Sequence, residues 1–185
     1  MSTFVFAHIN IRMQPIDRGE SFEDPLLEAL EAQELGTVTG GGCGLTENHE
    51  IEFCGVDIEL EDLEEGIPFL VGLLEELGAP AGSRLEYQDG DREVALPFGK
   101  EEGVGVYLDG VGLPKEVYET SDVNELIERL DTALGDDGGM RCHWQGPEET
   151  ALYFYGPSRA TLRAKMADVL ASHALCKGAR VVDIA

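Results

Sequence analysis

FVFAHINIR, residues 4–12, places Val5, Ala7, Ile9 and Ile11 on one side of an extended chain and Phe4, Phe6, His8, Asn10 and Arg12 on the other. Alternation with period two and branched apolar residues on one side predicts a half-buried strand. A helix is expected next, with Asp24 as cap and Pro25 at the first helical position. Leu26, Leu27, Leu30 and Leu35 supply its apolar face, and Gly36 stops it. Thr37–Gly44 is glycine-rich, and a turn around Thr46–His49 leads to a second alternating run, Ile51–Leu60. Leu63–Leu77 reads as a helix whose first turn carries Glu64 and Glu65 beside Asp62, as the positive helix end favours. Gly78, Pro80 and Gly82 break it, and Arg84–Tyr87 makes a short strand. The order is β-α-β-β-α-β.

The second half repeats that order. Val104, Val106 and Leu108 mark a strand; Asp122 with Glu125 starts a helix bearing Leu126, Ile127, Leu130 and Leu134 and ended by Gly135. Met140–Trp144 and Ala151–Tyr155 form a hairpin across Gly146-Pro147, Ser158 caps a helix with Leu162, Met166, Val169 and Leu170, and Val181–Ile184 closes the chain. One offset of 99 residues pairs Leu27 with Leu126, Leu35 with Leu134, Gly36 with Gly135, Cys43 with Cys142, Leu63 with Leu162 and Leu85 with Ile184. Two divergent copies of one unit are expected, residues 1–87 and 104–185. Residues 88–103 join them, with a short strand possible at Val94–Phe98.

The unit βαββαβ resembles the ferredoxin-like pattern. The fold class implied is α+β, a tandem ferredoxin-like duplicate with pseudo-two-fold symmetry, its antiparallel sheets carrying helices on one face. The resemblance stops at the fold, which hosts binding modules, regulators and enzymes alike. In the usual strand order the first and third strands are central. The open face of the first unit then carries Phe4, Phe6, His8, Asn10 and Arg12 beside Asp57 and Glu59. In the second unit Tyr107 and Asp109 lie beside Tyr153 and Tyr155, with either His143 or Trp144. Two such faces could form a core together, with His8 and Arg12 satisfied by Asp57 or Glu59, or enclose a small-molecule pocket lined by His8, Asn10, Arg12, Asp57, Glu59, Tyr107, Tyr153 and Tyr155.

Charge narrows the function classes. The chain of 185 residues has 37 acidic and 13 basic side chains, a formal charge of −24. That argues against nucleic-acid binding, which needs clustered Lys and Arg. No apolar run reaches the roughly 18 residues of a membrane span, and Met1–Asn10 lacks a basic n-region, so a cytoplasmic location without membrane association is expected. Residues 13–83 hold 18 acids and one base, Arg18, against 15 acids and 9 bases in 100–185. Glu28 and Glu31 on the first helix, with Glu61, Asp62, Glu64 and Glu65 at the second, make a face suited to a basic protein. The acidity also suits solvation in salt.

No catalytic constellation stands out. Cys54 or Cys142 could act with His8 or His143, but no serine elbow, Walker loop or HExxH helix accompanies them. Cys43, Cys54, Cys142 and Cys176 form no CxxC pair, the groups Cys43–His49–Cys54 and Cys142–His143 fall short of a zinc site, and Asp57, Glu59 and Glu61 lack the frame of a calcium loop. No metal or cofactor is expected. Gly40–Gly44 without a following lysine reads as a bulged edge strand rather than a phosphate cradle. Two functions are therefore expected: foremost a non-catalytic acidic binding protein, such as an immunity or inhibitor protein for a basic nuclease or toxin; alternatively, a small-molecule-binding enzyme or sensor.

Overall fold

A computed structural model describes residues 2–185. The chain divides after Lys100 into two compact units. The first contains β1 (Thr3–Ile9), α1 (Pro15–Arg18), a π-helical turn (Gly19–Glu23), α2 (Asp24–Ala32), β2 (Gly36–Leu45), β3 (Ile51–Leu60), α3 (Leu63–Glu76), β4 (Ser83–Asp89) and β5 (Arg92–Phe98). Its antiparallel sheet has the order β2-β3-β1-β4-β5. The second contains β6 (Glu102–Asp109), α4 (Lys115–Thr120), α5 (Val123–Leu134), β7 (Gly139–Gln145), β8 (Glu149–Gly156), α6 (Arg159–Ser172) and β9 (Arg180–Asp183), with sheet order β7-β8-β6-β9. Apart from β5, both sheets place the four strands of a βαββαβ unit in one spatial order. The chain is a tandem of ferredoxin-like α+β units.

Alternation sets the packing. Val5, Ala7 and Ile9 pair with Ile58, Val56 and Cys54, and all six are fully buried. In the second unit Val104, Val106, Leu108, Leu152 and Phe154 meet Leu126, Leu130 and Leu134 of α5 and Leu162 and Met166 of α6. Burying each such side chain contributes about 1.5–3 kcal/mol. Ser158 caps α6 through Thr161 N–H, and Asp62 caps α3 through Glu65 N–H.

The first helix departs from expectation. It starts at Pro15, so Asp24 has helical φ and ψ and caps nothing. Gln14 is extended and Pro15 takes a first-turn position, where its missing N–H costs no hydrogen bond. Proline within an α-helix loses a hydrogen bond and clashes with the carbonyl four residues earlier. The wide π turn sits directly before Pro25, where it relieves that clash, and Asp24 N–H reaches back to Gly19 O across it.

One further expectation changes and another is extended. Asp122 accepts from Asn124 N–H rather than closing a box with Glu125. The run at 94–98 belongs to β5, which pairs with β4 along its length. The glycine-rich β2 is a sheet edge with irregularities between Val38 and Gly40 and between Gly44 and Leu45. The shared offset of Cys43 and Cys142 does not reflect equivalent positions. Cys43 pairs with Cys54 on the helix-covered face, whereas Cys142 pairs with Tyr153 on the opposite face of its sheet.

Candidate functional site

Local interactions hold His8, Asn10 and Arg12 of the first unit. Phe6 lies opposite Asp57 and Phe4 opposite Glu59, as the register of β1 and β3 requires. His8 lies opposite Gly55 and stacks on Phe53 at 4.0 Å between ring centroids. Burial, with Arg84 across the β1–β4 pair, holds its pKa below the usual imidazole value against the opposing pull of Glu86 and Glu52. Its charged neighbours are thus Arg84, Glu86 and Glu52, not Asp57 or Glu59. β1 ends at Ile9, so Asn10 and Arg12 lie beyond the sheet. The Asn10 amide donates to Ala81 O at 2.8 Å, and Arg12 pairs with Glu50 at 3.0 Å.

The carboxylates Glu28, Glu31, Glu61, Asp62, Glu64 and Glu65 are all exposed. Glu31 and Glu61 gather with Glu34 and Glu59 around one shallow depression where α2 meets the ends of β2 and β3. Glu64 lies in a separate depression with Ile67, Pro68 and Tyr87.

In the second unit Tyr107, Tyr153 and Tyr155 are buried, and the rings of Tyr107 and Tyr153 meet edge to face at 6.3 Å. The Arg180 guanidinium lies 4.5 Å above the Tyr107 ring and grips Glu149 at 2.7 and 3.0 Å. An irregularity between Met140 and Cys142 decides between His143 and Trp144. His143 pairs with Leu152 on the helix-covered face, and Trp144 pairs with Ala151 on the tyrosine face. Cys142 donates to the main-chain carbonyl of His143. Cys54 lies beside Cys43 and Met13 O rather than in a thiol–imidazole pair with His8.

A cleft of about 760 Å³ lies wholly within the second unit, at the end of the helix layer. Leu108 and Leu152 supply its floor from the sheet, Ile127 from α5 and Met140 from β7; Asp109, Tyr118, Asp122 and His143 stand around it. Asp109 Oδ1 accepts from Gly112 N–H at 2.7 Å and Val111 N–H at 2.9 Å, which holds its pKa below the usual carboxylate range. The hydrogen bonds from Arg180 do the same for Glu149, which pairs with Asp109 across the sheet. Both are therefore anions at neutral pH. Tyr118 Oη accepts from Leu113 N–H and donates to Asp109 O, tying α4 to the strand end. Sequence reading missed this site because 110–121 received no element; Pro114 followed by the 115/119 Lys–Glu pair was its available helix signal.

No three His, Cys, Asp or Glu side chains among the described residues are grouped to hold a metal ion. No helix of the described residues is long and apolar enough to cross a membrane.

No family model matches the chain, and no curated protein matches its sequence. Among solved structures it is similar to a provisionally assigned monooxygenase from Lactobacillus acidophilus (10% identity, TM-score 0.34, 100% of this chain and 93% of that one). It is also similar to a provisionally assigned monooxygenase from Fusobacterium nucleatum (10%, 0.32, 99% and 91%) and to a protein of unknown function from Galdieria sulphuraria (11%, 0.31, 99% and 97%). Overlaps this loose transfer no activity; the fold assignment rests on strand order.

Proposed function

We propose that this chain binds a small amphipathic organic molecule in the cleft of its second unit. The apolar body of the ligand rests on Leu108, Ile127, Met140 and Leu152, and a hydrogen-bond-donating or cationic head faces Asp109 and Asp122. The observation that carries this reading is the cleft itself. Its volume falls within the roughly 300–1,000 Å³ of small-molecule sites, and its apolar floor under a few convergent polar groups is their usual composition. The carboxylates disfavour an anion. Asp109 is already committed to main-chain donors, which favours recognition over group transfer. Because His8, Asn10 and Arg12 engage partners in their own unit, the proposal is placed here rather than on that open face.

A thermal-shift screen of amphipathic amines and polyols against the full chain tests this. A ligand at a hundred times its Kd adds about 2.7 kcal/mol, a shift of several degrees for a domain of this size. The shift should vanish in Ile127→Trp, which fills the floor, and in Asn124→Trp at the exposed rim. Silence across the library, or hits unchanged in both variants, rejects the cleft.

A basic protein partner is a second reading. It is favoured by the absence, among the described residues, of any ion pair to Glu28, Glu31, Glu61, Asp62, Glu64 or Glu65. Capture of one identified basic protein at low salt, lost on reversing Glu61, Asp62, Glu64 and Glu65 to lysine, supports it; capture surviving that reversal ends it.

A further inference from the structure

The first unit contains a cluster that the proposed ligand site does not use. Cys43 on β2 and Cys54 on β3 are direct cross-strand partners, with sulfurs 3.8 Å apart. Arg18, almost wholly buried, aims a guanidinium nitrogen at Cys43 Sγ at 3.0 Å, and its Nε donates to Glu23 at 2.5 Å. Arg18 and Glu23 are five residues apart, the spacing that the π turn brings onto one side of the helix. Gly41 completes the arrangement: a Cβ there would lie 2.6 Å from Glu23 Oε1, so only glycine admits that carboxylate over the strand.

We propose that Cys43 and Cys54 form a peroxide-reactive dithiol in which Cys43 attacks and Cys54 resolves. The two thiols differ as those roles require. Cys43 is half-exposed on a glycine-rich edge strand, open to an approaching oxidant and with a fixed cation beside its sulfur. Cys54 is buried, its S–H directed to Met13 O at 3.4 Å, and burial next to the Cys43 sulfur pushes its pKa up. The guanidinium repels a metal cation, and no third ligand accompanies the pair among the described residues.

The chemistry balances with a hydroperoxide as oxidant. The Cys43 thiolate attacks the peroxide; an S–O bond forms as the O–O bond breaks, and two electrons pass from sulfur to the leaving oxygen, which departs with the thiol proton as an alcohol or water. Cys43 is then a sulfenic acid. Cys54 attacks its sulfur, the S–S bond forms as the S–O bond breaks, and hydroxide leaves with the Cys54 proton as water. Directly paired antiparallel residues have Cα atoms about 4.5–5.5 Å apart, inside the roughly 4.4–6.8 Å span of disulfides. Closure therefore needs side-chain rotation and little backbone movement.

The test treats the reduced full chain with hydrogen peroxide, alkylates the remaining thiols and maps the peptides by mass spectrometry. The expected product lacks two hydrogen atoms and links the peptides of Cys43 and Cys54, while Cys142 and Cys176 remain alkylatable. In Cys54→Ser, dimedone should trap a sulfenic acid at Cys43. Arg18→Gln, which removes the cation beside the attacking sulfur, should slow oxidation several-fold. Glu23→Gln, which frees the guanidinium from its carboxylate, should speed it; this opposite sign separates an electrostatic effect from damage to the fold. Persistence of free Cys43 and Cys54 under peroxide that oxidises small thiols overturns the proposal, as does a rate indifferent to both substitutions.

Discussion

A Cβ at Gly44 would lie 2.0 Å from the Phe53 ring, whereas one at Gly42 would meet nothing within 4 Å. Gly44→Ala should therefore displace Phe53 and its stack on His8, at a cost of about 1–3 kcal/mol. Gly42→Ala should be neutral or add up to about 1 kcal/mol through the unfolded chain. Urea midpoints measured at constant slope distinguish the two. His8 makes a pH prediction at the same scale. Its pKa is lowered in the fold, so protonation favours the unfolded chain, where the group titrates near 6.5. Its contribution is complete above that value and is lost as pH falls through it toward the folded pKa. His8→Phe keeps the stack without the charge, so its urea midpoint should fall less than that of the wild type between about pH 7.5 and 5. The alternation of residues 4–12 reveals which side of the strand His8 occupies; the stacking partner depends on the register of β3, which no local pattern states.

At the scale of elements, the caps separate what the sequence implies from what the fold uses. Ser158 is extended and accepts from Thr161 N–H, so Ser158→Ala should cost about 1 kcal/mol in chemical denaturation. Asp24 resembles a cap in sequence but lies within a continuous helix, so Asp24→Ala should be neutral or stabilising by up to about 0.7 kcal/mol. Equal losses in the two variants would place a helix start at Asp24 after all. Asp-Pro normally opens a helix. Here Pro15 opens it nine residues earlier, and the π turn removes the steric reason for a break at Pro25. The strands were more legible: β3 spans its expected run, Ile51–Leu60, residue for residue, because half-burial imposes period two over Val56–Leu60. β7 was legible as a strand but not in its facing. One extra residue after Met140 reverses which side chains point toward the helices, sending His143 to the cleft and Trp144 to the tyrosines.

Over the whole molecule the formal charge of −24 resides mainly in the first unit, where 22 acids face 5 bases; the second has 15 and 8. Self-repulsion of that magnitude destabilises a compact chain, and it is screened as the Debye length shrinks from about 30 Å at 0.01 M salt to about 3 Å at 1 M. The melting temperature should therefore rise with sodium chloride across that range, and rise less after Glu31→Gln with Glu61→Gln, which thins the cluster where α2 meets β2 and β3. A salt response unchanged by the double substitution would place the repulsion elsewhere. Composition, period-two alternation and helix punctuation determined by themselves the α+β class, the doubled βαββαβ order and which residues of the central strands β1, β3, β6 and β8 meet the helices. These are local properties, written every second or every third to fourth residue. The cleft, the partners of His8 and Arg12, and the placement of Arg18 against Cys43 were decided only by tertiary structure. Each depends on strand register, a bulge or a widened helical turn, where a shift of one residue changes which side chains meet.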